Sequence, residues 1–96
     1  MKDIDIRLEL HSNYLSSFYK HDPDSVIIDE LGICQGSSKI DIAVVNGHLW
    51  GWEIKSEKDN LKRLPLQIQY YNKVFDYVTI VVGRNHLEEV KEMVPE

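Results

Sequence analysis

The sequence predicts one mixed α/β domain, an α+β mixed sheet in the element order α-β-β-β-α-β-α. Three observations predict it. Apolar residues recur at helical spacing over residues 3–20, two strand-like runs meet at Asn46-Gly47, and a second helical stripe precedes the apolar run 77–82. Ninety-six residues, 43% hydrophobic and 28% charged, make one ordinary globular domain with a modest core.

In residues 3–20, Ile6, Leu10, Tyr14 and Phe18 line up, with Ile4, Leu8 and Leu15 widening the apolar arc. Glu9 falls on the polar side near Ile6. His21-Asp22-Pro23-Asp24-Ser25 is turn chemistry, because Pro23 disfavours a helical residue before it. Residues 26–31 form a first strand, and residues 32–37, with two glycines, a loop. Residues 38–45 and 48–55 are the next two strands. Asn46-Gly47 between them predicts a two-residue turn with positive φ at both positions. Side chains alternate along a strand, so Glu53 and Lys55 share one face and Trp50 and Trp52 the other, where packing against a helix is favoured over base stacking. Asp41 joins Glu53 and Lys55 if the register allows it.

Residues 56–60 read as a charged loop. Pro65 suits the first turn of a second helix, where its missing N–H costs little, and Leu64, Ile68, Tyr71 and Phe75 form its stripe. Residues 77–82 are apolar on both faces, the mark of an interior strand. Gly83 ends that strand, and residues 87–93 make a short final helix. The first three strands form an antiparallel meander, and a helical crossover returns the fourth in parallel.

The bulk numbers exclude several function classes. No apolar stretch approaches a membrane span, and Met1-Lys2-Asp3-Ile4-Asp5 is not a signal peptide. A single cysteine, Cys34, reads as a packing residue and fits a reducing, cytoplasmic setting. The four histidines show no ligand spacing, which argues against zinc. A net charge of −5 argues against a broad basic clamp on duplex DNA, though not against a local basic rim around an acidic site.

Asp41 is the lone charge among Ile40, Ile42, Ala43, Val44 and Val45, where a solvated strand face would carry more polarity. That favours a site over an ordinary exposed strand. Two carboxylates on one patch repel unless a cation neutralises them, and oxygen ligands suit Mg²⁺ or Mn²⁺. A lysine beside the ion could orient a water or steady developing negative charge. That set of parts suits phosphodiester hydrolysis. Lys58, Lys62 and Arg63 follow closely and are candidate phosphate contacts, although a solvated helix start explains them equally well.

With Asp41 on the second strand and Glu53-Ile54-Lys55 on the third, the chain resembles the PD-(D/E)XK nuclease superfamily, whose core is α-β-β-β-α-β. Residues 39–83 look closest to small bacterial and phage proteins of that type. Glu30-Leu31-Gly32 ahead of the Asp strand, and Gln67-Ile68-Gln69-Tyr70-Tyr71 after the Glu-x-Lys strand, match their pattern. The resemblance implies a restriction-endonuclease-like core and one or two divalent ions on Asp41, Glu53 and the carbonyl of Ile54. It implies that Glu30 adds a further carboxylate and that Lys55 positions the water. Glu9 matches a first-helix acid, and Gln67 and Tyr71 would meet the metal shell or a phosphate. It also leads one to expect a short tail beyond Pro95-Glu96.

Two functions from different classes follow. One is a metal-dependent nuclease, on DNA in preference to RNA. The other is a catalytically silent accessory module of phage or mobile-element origin that engages a nucleic acid or a host protein. The domain would cover little of a duplex, so a homodimer or a larger assembly is expected.

Overall fold

Four strands make a single sheet in the computed structural model, which describes residues 3–94. Met1, Lys2, Pro95 and Glu96 lie outside the described residues, as do the side chain of Ile4 and the tail expected beyond Pro95-Glu96. β1 (Val26–Ile33) pairs antiparallel with β2 (Ser38–Val45), β2 antiparallel with β3 (Leu49–Lys55), and β3 parallel with β4 (Tyr77–Val82). The crossover carries α3 (Leu64–Val74), whose Leu64, Ile68 and Tyr71 face the core with Phe75 just beyond. The mixed α/β class, the meander and the parallel fourth strand all follow the sequence reading.

Two helical layers cover the sheet. The first comprises α1 (Asp3–Glu9), a π-helical turn over Leu10–Leu15 and α2 (Ser16–His21). Leu10 and Leu15 pack on Ile42, Val44 and Ile54, with Trp50, Trp52 and Val81 around them. On the opposite face Tyr71 and Phe75 pack on Ile33, Ile40 and Ala43. α4 (Leu87–Met93) adds Val90 to a third cluster with Leu61, Leu64 and Ile68. Among the described residues no helix is long and apolar enough to cross a membrane.

Three details differ from expectation. The π turn adds about one residue per turn, so the apolar stripe slips by one position. Leu15 is fully buried where Tyr14 was placed, and Tyr14 is 58% exposed. Strand β4 is not interior: in the described sheet it is the edge beside β3. Its apolar character reports packing rather than two paired edges: Val78, Ile80 and Val82 pack against helix-bearing clusters on one face and Val81 on the other, where Tyr77 and Thr79 stay exposed. The hairpin is not closed by a two-residue turn either. Val45 pairs with Leu49, leaving Asn46, Gly47 and His48 as a three-residue loop in which Gly47 alone takes positive φ, 94°.

Candidate functional site: a row of carboxylates where the sheet divides

The β2–β3 ladder runs from Val45↔Leu49 to Ile42↔Trp52 and stops there. Beyond that point β2 stays with β1, through Ile33↔Ser38, while β3 continues in parallel with β4, through Lys55↔Val82. Asp41 and Glu53 are the next residues on the two strands, at the crotch of this fork. On the other side Asp29↔Ile42 and Leu31↔Ile40 bracket Glu30 and Asp41 as opposing positions. Glu30, Asp41 and Glu53 therefore lie in one row across three adjacent strands.

The strands also change face in this row. Ile27 packs beneath the first helix, whereas Leu31 and Ile33, which an unbroken strand would put on the same side, pack with Tyr71. Ile42 and Ile40 divide in the same way. Glu30 makes the turn possible with φ of 57°, a left-handed conformation costing about 1–2 kcal/mol outside glycine.

At that corner the Asp41 carboxylate stands in for a backbone acceptor. Its Oδ2 accepts from the Ile54 amide at 2.7 Å, and its Oδ1 accepts from Arg7 Nη2 at 3.1 Å. Glu53, 4% exposed, accepts from the Tyr71 hydroxyl at 2.7 Å, and Lys55 Nζ lies 3.4 Å from its other oxygen. Tyr71 comes from α3 and also stands 3.2 Å from the Lys39 carbonyl, so one hydroxyl touches both arms of the fork. Burial, and next the Asp41 charge, push the Glu53 carboxyl above the usual carboxylate range, against the lowering pull of Tyr71 and Lys55. Burial and the bond to Glu53 push the Tyr71 hydroxyl above its ordinary value, so it stays a neutral donor.

Of the residues singled out in the sequence, Asp41, Glu53, Lys55 and Tyr71 are brought together. Ile54 reaches the cluster through its amide. Glu30 joins the row through Arg7, with Oε1 2.8 Å from Nη2, and lies 3.6 Å from Lys39 Nζ. Gln67, 8% exposed, sits one helical turn before Tyr71 on the same helix face. Glu9 is not brought in. It is exposed and lines a cavity of about 390 Å³ with Ile6, Leu10, Tyr14, Val81 and Arg84. Lys58, Lys62 and Arg63 are exposed in the connection between β3 and α3. Arg7 was not foreseen, because an arginine among Asp5 and Glu9 reads as part of a solvated helix face. Its signal was its place directly beside Ile6, at the margin of the apolar stripe.

Two observations fit a hard divalent cation at Asp41 and Glu53. The Glu53 carboxyl is destabilised as an anion by burial first and by the Asp41 charge second, and Gln67, one helical turn before Tyr71, carries a buried amide oxygen with no hydrogen-bond partner among the described residues. Among the described residues no three His, Cys, Asp or Glu side chains are arranged as a complete metal cage. Mg²⁺ does not require one, since it is commonly held by one or two carboxylates together with waters and substrate phosphates.

Fold and site define a small α/β protein with a buried acid–lysine cluster where its sheet divides. The chain belongs to the family described as bacteriophage P4 protein cII, whose model matches residues 5–96. It is similar to Protein cII of Enterobacteria phage P4, with 39% identity over 71 residues that take in 74% of this chain and 27% of that protein. The chain thus spans about a quarter of the length of the curated relative it matches. No solved structure matches the chain.

Proposed function

We propose that this chain is a nuclease that hydrolyses phosphodiester bonds with Mg²⁺ or Mn²⁺, on DNA in preference to RNA. The observation that carries the reading is the convergence of Asp41, Glu53 and Lys55 at the fork, with Tyr71 holding Glu53. Asp41 and Glu53 would hold the ion, with the Ile54 carbonyl and Gln67 Oε1 as further oxygen donors. A bound divalent ion would supply Lewis-acid neutralisation of the phosphate under attack. Lys55, its ammonium already against the Glu53 carboxylate, would orient the attacking water and steady charge on the phosphate oxygens. Tyr71 fixes the orientation of Glu53, so that the second carboxylate oxygen stays turned toward Lys55. Lys58, Lys62 and Arg63 would guide the backbone of the substrate, and a homodimer would present two clusters to one duplex.

The test is calorimetric titration with Mn²⁺ and Mg²⁺ alongside cleavage of plasmid and oligonucleotide substrates. Asp41→Ala should lose ion binding, and Lys55→Ala should lose cleavage by about 100-fold or more while still binding the ion. Cleavage that persists unchanged in both variants would end the proposal.

One observation favours a second reading. Both Asp41 oxygens are already engaged by protein donors, one of them an arginine. A cluster neutralised from within suits a silent accessory module of phage origin that binds a nucleic acid or a host protein. Ion binding without any cleavage would favour it.

A further inference from the structure

We propose that Arg7 is a resident cation of the carboxylate row, which clamps Glu30 to Asp41 and leaves the Asp41–Glu53 end alone for one divalent ion. The inference rests on the metal-dependent reading above and assigns Glu30 a different part in it, as the anchor of Arg7 rather than as an ion ligand.

The geometry is specific. A single nitrogen, Arg7 Nη2, lies 2.8 Å from Glu30 Oε1 and 3.1 Å from Asp41 Oδ1, so it bridges two carboxylates on neighbouring strands. The other terminal nitrogen donates to the Asp41 backbone carbonyl at 3.1 Å and lies 3.9 Å from Asp29. The guanidinium already stands between these two oxygens, so a further cation there would meet its positive charge. Arg7 and Asp41 side chains are only 16% and 15% exposed, so the contact is drawn largely out of water. Arginine suits that place, being always charged, forked and weakly hydrated compared with an ammonium.

The clamp also accounts for Glu30. A glutamate at φ of 57° is held in a strained conformation, and its charge–charge contacts to Arg7 and Lys39 are what the strain secures. Asp41 Oδ2 and Glu53 lie on the other side of Asp41, toward Ile54, Tyr71 and Lys55. Arg7 thus divides a row of three acids into a half paired with arginine and a half in which Glu53 faces Lys55 and the neutral Tyr71 hydroxyl.

The experiment is Mn²⁺ titration calorimetry on the full chain as wild type, Arg7→Gln and Glu30→Gln, with circular dichroism to check folding. The expected result is one ion per wild-type chain, and in Arg7→Gln either a second ion or about tenfold tighter binding. Glu30→Gln, which loosens Arg7 without removing an ion ligand, should bind the ion more tightly than wild type. An Arg7→Gln titration identical to wild type overturns the inference and leaves the metal reading standing. Ion binding by Arg7→Gln alone supports Arg7 as the occupying cation and removes the nuclease reading of the wild type. Absence of binding in every form overturns both. Should Arg7→Gln not fold, Glu30→Gln decides: tighter binding supports the anchor role, and unchanged or about tenfold weaker binding overturns it, the weaker binding by making Glu30 a ligand.

Discussion

At the hairpin end, Ile42 to Val45 of β2 pair without interruption with Leu49 to Trp52 of β3, and both sheet faces there are covered by apolar clusters. One residue further along the same strands the ladder ends, both β1 and β2 change face, and three carboxylates line up. The first region stabilises the fold by burial. The second spends stability on a left-handed glutamate and a buried carboxylate near another, the pattern expected where structure serves chemistry. The two are neighbours by necessity, because the regular pairing fixes where the strands part.

The largest expected effect lies at the regular end. Ile42 is fully buried between the first helix and the sheet, so Ile42→Ala should cost about 2–5 kcal/mol of stability. Urea unfolding measures it, and ion affinity of the variant at temperatures where it is folded should stay at the wild-type value. A large loss of affinity would mean that the two ends do not act separately.

Tyr71→Phe comes next. It keeps the ring in the core but removes the donor at 2.7 Å from Glu53, which should cost about 1.5–3 kcal/mol near neutral pH. The loss should shrink in acid, where Glu53 becomes protonated and no longer needs a charged-group donor. A pH-independent loss would show that the hydroxyl serves the Lys39 carbonyl instead.

Gly51 links the two ends. A Cβ there would lie 2.5 Å from Ile40 Cδ1 and 3.0 Å from the Phe75 ring, because Ile40 has been turned onto that face by the corner at Asp41. Gly51→Ala should cost about 1–3 kcal/mol through overpacking. Pairing it with Ile40→Val, which shortens the offending branch, should recover part of that loss in the same unfolding assay. No recovery would place the clash on Phe75.

Helices and strands were legible because periodicity carries them: Leu64, Ile68, Tyr71 and Phe75 are buried as the stripe predicts, and the final helix falls on Leu87–Met93. The register was not. A two-residue Asn46-Gly47 turn would pair Val45 with His48 and set Asp41 opposite Trp52, on the wrong side of the sheet for Glu53. The three-residue loop shifts the pairing by one and brings the carboxylates level. Asn46 favours the longer loop through its side chain, which accepts the Trp50 indole N–H at 2.8 Å. Such a tertiary contact leaves no trace in local propensity. The same limit hid the contacts of Arg7 with Glu30 and Asp41, which are 23 and 34 residues away in the chain.

The smallest effect probes the split end most directly. Glu53 has a folded-state carboxyl held above its ordinary value of 4.5, with burial the first cause and Asp41 the second. The native state therefore holds the proton more tightly than the unfolded chain. Below about pH 4.5 the group is neutral in both states and its ionisation adds no penalty. As pH rises from there through the raised native value, the unfolded chain ionises first, and the wild type loses stability until both states are charged. Glu53→Gln has no such titration, so its stability relative to wild type should climb across that window and then level off. Denaturant midpoints from about pH 4 to about pH 8 would trace the climb. Saturating Mn²⁺ should stabilise only the wild type, because the ion takes up the charge that makes Glu53 costly and has no anion to meet in the amide. A wild-type and Glu53→Gln difference that stays flat with pH would mean that Tyr71 and Lys55 already balance the buried carboxylate, leaving the fork no unmet charge with which to recruit an ion.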